Sequence, residues 1–450
     1  MAVMAQSKST KGRRRRGVIL TQQGLEKLQN AKSDAEYLDN HGNRYTLEAL
    51  SAKTELAVDT LMKVFACESG VDKQTLKTCF KAFNLTLTSE DFYRPELSST
   101  EVEQPISLEP ELPEGQVPLN SQFYVERSPV ESDCYKAILQ PGALIRLKAA
   151  RRMGKSSLLA RIADYGINND CSAVSLSLQL ADKNLFQDLD KFLQWFCANI
   201  SLSLQLPNKI ADYWDDLFGS KISCKIYFEQ YILANLKTPL VLALDDVDRL
   251  FQYPDLADDF FALLRAWHEE GKNRDIWKKL RLVVAHSSEV YIPLNVNHSP
   301  FNVGISIELP MLTPKQVQDL AKRYEVTLSL EKVKQLTDLV GGHPYLIRLA
   351  LYHIWRKDVK LECILKTDVQ SPNHIYSDHL QRQLYNIQRQ DSELLETLEK
   401  VVFAPEAIEL DLLNAIKLQS FGLVNLKGNE VMPSCRLYQE YFRQYFQSNK

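Results

Sequence analysis

The stretch Ala149-Ala150-Arg151-Arg152-Met153-Gly154-Lys155-Ser156-Ser157 constrains this chain more than any other. It follows an apolar run, Leu144 to Leu147, and opens an amphipathic segment that continues Ser156-Ser157-Leu158-Leu159-Ala160. Strand, glycine-bearing loop and helix in that order make a phosphate cradle. Backbone N–H groups of the loop and the positive helix N-terminus face an anion, a lysine reaches its outer oxygens, and a hydroxyl faces a divalent cation. In that scheme Arg152, Met153, Gly154, Lys155, Ser156 and Ser157 hold the phosphates. Ala149 stands where the pattern GxxxxGK[ST] has glycine. Alanine serves there if its backbone keeps a negative φ.

A second stretch gives the loop its partner. Leu240-Val241-Leu242-Ala243-Leu244-Asp245-Asp246 is a buried strand ending in two acids. Asp245 is the candidate magnesium ligand together with Ser156. Asp246 is the candidate group that polarises an attacking water, with Lys155 as the catalytic cation. An aspartate is one methylene shorter than the glutamate common at such positions, so slow turnover is expected. A further strand ends at His286-Ser287-Ser288, where Ser287 or Ser288 is a candidate γ-phosphate sensor. Asn208-Lys209-Ile210-Ala211-Asp212 misses a guanine-reading NKxD by one residue. ATP and ADP, with Mg2+, are therefore the expected ligands.

Around these motifs, strands and helices alternate. Leu144–Leu147, Ala173–Leu178, Leu240–Leu244, Leu282–Ala285 and Ile305–Leu309 read as strands, and about 185–204 as one long helix. Alternation of this kind predicts an α/β P-loop NTPase core, a parallel sheet with helices on both faces, over 119–310. Residues 311–390 read as a helical lid. Residues 391–450 read as a small helix–strand unit whose candidate wing is 422–431.

The N-terminal part is different. Residues 1–16 carry Lys8, Lys11 and Arg13 to Arg16 with no acid, a basic tail expected to be disordered. Residues 17–95 form a separate small all-α unit, with Leu20 to Asp39 read as one helix. Leu47 and Leu50, then Asp59 to Phe65 after the turn at Thr54-Glu55-Leu56, give two short helices in helix-turn-helix order. Asp72 is the expected cap of a last helix. Two readings stay open for this unit, DNA contact and protein or self-association. Glu55 and Asp59 beside the reading helix weigh against DNA. Residues 96–118 hold six Glu, no Lys or Arg, and four Pro, and read as an extended acidic linker.

Composition narrows the class. Of 450 residues 45% are hydrophobic and 25% charged, with a net charge of −3, so a global polyanion binder is excluded. The eight cysteines show no zinc spacing. No apolar run is long enough for a bilayer, and a cytoplasmic protein is expected.

With these residues in view the chain resembles a known group. Met153-Gly154-Lys155-Ser156, the strand ending Asp245-Asp246 and Gly341-Gly342-His343-Pro344-Tyr345-Leu346 resemble STAND-class signalling ATPases. Residues from 119 onward are similar to the "AAA-like domain" proteins of cyanobacteria, through Phe123-Tyr124-Val125-Glu126-Arg127, Asp212-Tyr213-Trp214-Asp215-Asp216 and Phe260 to Glu269. The N-terminal unit resembles the helix-turn-helix domain of vWA-MoxR-associated proteins. The resemblance implies that Gly342 and Pro344 close on the nucleotide from the lid. It also implies that Tyr124, Val125 and Arg127 line the adenine pocket, and that 391–450 is a winged helix. The function it implies is an ATP-dependent switch acting on itself or a protein partner. A DNA-binding ATPase, such as a transcriptional regulator or a transposition or replication loader, is the alternative.

Overall fold

The computed structural model describes residues 18–39, 45–54, 56–66, 71, 73–88, 91–93, 109–286, 303–366, 371–389 and 392–449. The basic tail, Glu55, Asp72, Ser287 and Ser288 lie outside them. The chain divides into two compact units, Met1–Leu108 and Glu109–Lys450.

In the first unit a strand pair frames four helices. β1 (Ile19–Leu20) pairs antiparallel with β2 (Phe92–Tyr93). Between them run α1 (Gln22–Asp39), α2 (Leu47–Thr54), α3 (Val58–Ala66) and α4 (Lys73–Lys81). Leu28, Leu50, Leu61, Val64, Leu76 and Phe80 make their common core. The helix expected from Leu20 starts two residues later. Leu20 is committed to the strand, and the Gly24 N–H donates to Thr21 Oγ1 at 3.1 Å, a helix-start contact. The strand partner lies some seventy residues away, beyond the reach of local periodicity.

The second unit is built on a five-stranded parallel sheet. Its strands are β3 (Leu144–Lys148), β4 (Ser172–Ser177), β5 (Leu240–Asp245), β6 (Leu280–His286) and β7 (Ile305–Glu308), in the order β4-β5-β6-β3-β7. Side chains alternate across a strand, and both faces here are apolar. On β5, Leu240, Leu242 and Leu244 face one cluster and Val241 and Ala243 the other. The second face carries α5 (Val130–Ile138) and α6 (Lys155–Asn168), through Ile138, Leu158 and Ile162. The first carries α7 (Leu189–Ser203), α9 (Gly219–Ile226) and α11 (Pro254–Asn273), through Phe192, Phe196, Cys224, Phe260 and Trp267. Short α8 (Ile210–Tyr213) and α10 (Leu233–Asn235) complete the connections. The long helix expected over 185–204 is broken. Lys183–Gln187 forms a 3₁₀ turn, and α7 begins after Asp188, whose side chain accepts the Lys191 N–H.

The chain leaves β3 for the edge strand β4, returns through β5 and β6, then crosses β3 to reach β7. The carboxyl end of β3 is thus a topological switch point, where open α/β sheets leave a crevice.

Beyond β7 come α12 (Pro314–Arg323), α13 (Leu330–Val340), α14 (Pro344–Trp355), α15 (Leu361–Lys366) and α16 (Ser377–Gln388). Then follow α17 (Ser392–Phe403), β8 (Ile408–Glu409), α18 (Leu412–Ser420), β9 (Val424–Lys427), β10 (Glu430–Pro433) and α19 (Arg436–Ser448). β10 pairs antiparallel with both β8 and β9. The two stretches expected as separate units share one core. Leu320, Leu336, Leu346 and Leu380 pack in the same cluster as Leu398, Val431, Leu437 and Phe442. Among the described residues no helix is long and apolar enough to cross a membrane.

Candidate nucleotide site

The loop after β3 turns on two left-handed residues, Arg152 at φ 63° and Gly154 at φ 95°. Such turns point successive N–H groups into one concavity. Gly154 is needed there, because φ 95° is a conformation L side chains rarely adopt, and a Cβ would stand 3.3 Å from the Arg127 guanidinium. Ala149 is not among the positive-φ residues. The missing glycine therefore costs no strain, and the Ala149 methyl packs under the loop.

Lys155 opens α6 with only 9% of its surface exposed. Its Nζ donates to the carbonyls of Ala149 and Ala150, both at 2.9 Å. Burial pushes its pKa down to about 8, against the pull of Asp248, Asp245 and Asp246. Across the crevice Asp245 ends β5. Burial raises its pKa and the Asp246 charge adds to that, while a hydrogen bond from Ser156 opposes both. Asp246 takes φ 55°, a left-handed conformation that aspartate tolerates better than most residues. Its N–H donates to Asp245 Oδ1 at 2.9 Å, and its Oδ2 accepts from Ser177 Oγ at 2.8 Å.

Ser156 and Asp245 are thus in hydrogen-bond contact beside clustered carboxylates whose mutual repulsion a cation would relieve. Among the described residues no three His, Cys, Asp or Glu gather as a metal cluster. Mg2+ does not require one, since it keeps several waters and takes phosphate oxygens beside one or two protein ligands. The pair fits that ion.

These groups line a cleft of about 1110 Å3. Its other walls come from elsewhere in the chain: Pro113 to Val117 before the loop, and Pro344, Tyr345 and Arg348 of α14 and Asp378 and Arg382 of α16 after it. The start of α14 also touches the loop directly. The Arg152 guanidinium lies 4.2 Å from the Tyr345 ring centroid. His343 Nε2 stands 3.3 Å from the Arg151 carbonyl, which can only accept, so the proton sits on Nε2. Its Nδ1 is buried without a partner, and burial first, then Arg152 and Lys155, hold its pKa down at about 4. Behind it His379 Nε2 meets the Tyr438 hydroxyl at 2.7 Å, tying α16 to α19. The turn before β9 reaches the loop as well, since a Cβ on Gly422 would stand 2.8 Å from that of Ala150.

The expected site residues separate into two groups. Arg152, Gly154, Lys155, Ser156, Ser157, Asp245, Asp246 and Pro344 line the cleft, with Met153 buried beneath. Tyr124, Val125, Arg127 and Gly342 are not among its lining residues. Tyr124 and Val125 border a different cavity of about 530 Å3 with Lys315 and Arg323. The Tyr124 ring lies under the Arg161 guanidinium at 3.6 Å, and its hydroxyl donates to Glu131 at 2.7 Å. Arg127 Nη1 donates to the Met153 carbonyl at 2.7 Å, so it braces the loop from behind. Gly342 packs on the Leu312 backbone, 2.4 Å from its would-be Cβ, between β7 and α14 in space. Sequence reasoning missed Asp248, Arg348, Asp378, Arg382 and Pro113 to Val117. Asp248 was visible as a third acid after Asp245-Asp246. The two arginines are cations on helices read only for their apolar spacing. Residues 113–117 fell inside the stretch read as linker.

A parallel sheet with a phosphate loop at its switch point and an acidic strand end beside it defines a P-loop NTPase-like, ATPase-like domain. The chain belongs to the AAA-like domain family, whose model matches residues 112–444. Its fold is similar to that of the Walker-type ATPase PABY2304 of Pyrococcus abyssi, at 12% identity and TM-score 0.51, over 71% of this chain and 96% of that one. A looser likeness, TM-score 0.30 and 15% identity over 72% of this chain and 43% of that one, is to a STAND protein with a tetratricopeptide repeat sensor, PH0952 of Pyrococcus horikoshii. An uncharacterized WD repeat-containing protein of Synechocystis is 24% identical over 47% of this chain, which spans 18% of that protein's length.

Proposed function

We propose that this chain is an ATP-binding, slowly hydrolysing switch of the STAND type, acting in the cytoplasm, whose nucleotide state controls self-association or a protein partner. One observation carries the reading. The loop that would grip phosphate is held from outside by the lid and the C-terminal element, through His343 on Arg151, Tyr345 on Arg152 and Gly422 on Ala150. A triphosphate competes for the same loop, so occupancy and lid position are coupled if ATP binds two arrangements unequally.

In this reading Lys155 exchanges its two backbone carbonyls for β- and γ-phosphate oxygens. Arg152, Met153, Gly154, Ser156 and Ser157 supply the cradle. Ser156 and Asp245 hold Mg2+, which would neutralise developing phosphate charge. Asp246 orients the attacking water and takes its proton, and Ser177 fixes the carboxylate that does so. Pro344, Arg348 and Arg382 meet the nucleotide from the lid. Residues 311–390 are the lid, and 391–450 the winged helix that restrains it. The test is steady-state ATP hydrolysis beside sedimentation with ATP, ADP or neither, with Lys155→Ala as the blank. Slow turnover that the blank lacks, and a sedimentation change only with ATP, supports the switch. Identical behaviour in all three states contradicts it.

A second reading is a DNA-binding ATPase, a regulator or loader. It is supported by α2 and α3, joined across residues 55–57, with Met62 and Lys63 exposed on α3. DNA affinity falling steeply with salt would favour it.

A further inference from the structure

We propose that Pro113 to Val117 forms the base-side wall of the nucleotide cleft and that Arg161 is the positioning residue that holds it there. The inference rests on the reading of the cleft as an ATP site.

The cleft is polarised. Its phosphate end carries Lys155, Arg151, Arg152 and the α6 N-terminus, and the acids there, Asp245, Asp246 and Asp248, stand where Mg2+ and Lys155 would offset them. The 113–117 segment lines the same cleft, yet its one charge is the Glu114 carboxylate. Like charges repel, so this wall disfavours the triphosphate and suits the uncharged base and ribose. Tyr124 is unavailable for that task, because its ring face is covered by Arg161 and its hydroxyl is taken by Glu131.

The segment is pinned to the helix that the phosphate loop starts. The Val117 N–H donates to Ser157 Oγ at 2.9 Å. Arg161, one turn further along α6, donates to the carbonyls of Val117 at 3.1 Å and Pro118 at 2.7 Å. Its Nη1 also reaches the Ser157 carbonyl at 3.1 Å. These bonds end on backbone carbonyls, so the buried guanidinium works as a rigid fork that fixes chain position. A single rigid helix thereby sets the spacing between the phosphate seat at Lys155 and the wall at 113–117. Gly115 turns the segment at φ 59°, and a Cβ placed there meets no atom within 4 Å. The turn demands glycine for its backbone alone.

The experiment displaces a fluorescent ATP analogue from the full chain with ATP and with inorganic tripolyphosphate. It uses the wild type, Arg161→Met and Gly115→Val. Each variant is expected to lose about tenfold in ATP affinity while tripolyphosphate affinity stays within about twofold. ATP affinity unchanged or raised, or tripolyphosphate affinity falling in step, overturns the inference. Should Arg161→Met not fold, Gly115→Val tests the wall, since its side chain has open space, and Arg161→Lys, which keeps the charge but not the fork, tests the positioning role by the same ATP-selective loss. A failed site reading looks different: the wild type then binds neither ligand, or Lys155→Ala binds both as well as the wild type, and the inference falls with it.

Discussion

The two halves of the cleft are made in different ways. The phosphate half comes from one loop, 149–157, and one strand end, 245–246, each held by its own short-range hydrogen bonds and joined by the Ser156–Asp245 contact. The opposite half draws on 344–348 and 378–382, brought together by the shared core of the helices after β7, while 113–117 is tied to α6. A half specified by its own backbone does not depend on the helices after β7 for its shape, whereas a half made by distant packing does. In the proposed reading that difference is what couples nucleotide to conformation, and each half can be broken separately.

The largest effect is expected at the phosphate seat. Lys155→Ala should weaken ATP binding on the order of a hundredfold, measured by calorimetry, because it removes the buried cation placed to meet the β- and γ-phosphates. Asp246→Asn should cut turnover by about a hundredfold, within the range of general-base losses, while ATP affinity changes little. A matched loss of affinity would move Asp246 into the binding set. On the lid side, Gly422→Val forces a branched side chain to φ 74° and 2.8 Å from Ala150. It should cost about 2 kcal/mol in chemical denaturation, as overpacking and strain do.

The smallest effect is a pH dependence. His343 keeps a pKa near 4 in the folded chain against 6.5 for a free histidine. Between those values the unfolded chain binds a proton that the folded chain refuses, so stability falls as pH drops from 6.5 towards 4. The groups facing His343 are Arg152, Lys155, His379 and the Arg151 carbonyl; the carbonyl favours the charged ring, but burial together with Arg152 and Lys155 outweighs it. At pH 5 the loss is about 2 kcal/mol. His343→Asn should flatten that part of the profile, read by urea denaturation at pH 5 and pH 7.

The same contrast explains what could be read beforehand. The loop, the acidic strand and the five sheet strands announce themselves because motif and alternation are local. Leu20 in β1 could not be seen, since its partner Phe92 is far along the chain. Tyr124 and Val125 were carried to the base by resemblance, but their packing under Arg161 and in the lid core depends on α6 and on α12 to α14. Residues 113–117 read as linker because their composition cannot bury a core. Hydrogen bonds to one arginine and one serine order them instead.

Hydrogen exchange with and without ATP tests the coupling of the two halves most directly. The account predicts that ATP protects 149–157 and 341–345 together, and that Lys155→Ala abolishes both effects. Protection of the loop alone, with the lid segment unchanged, would contradict it.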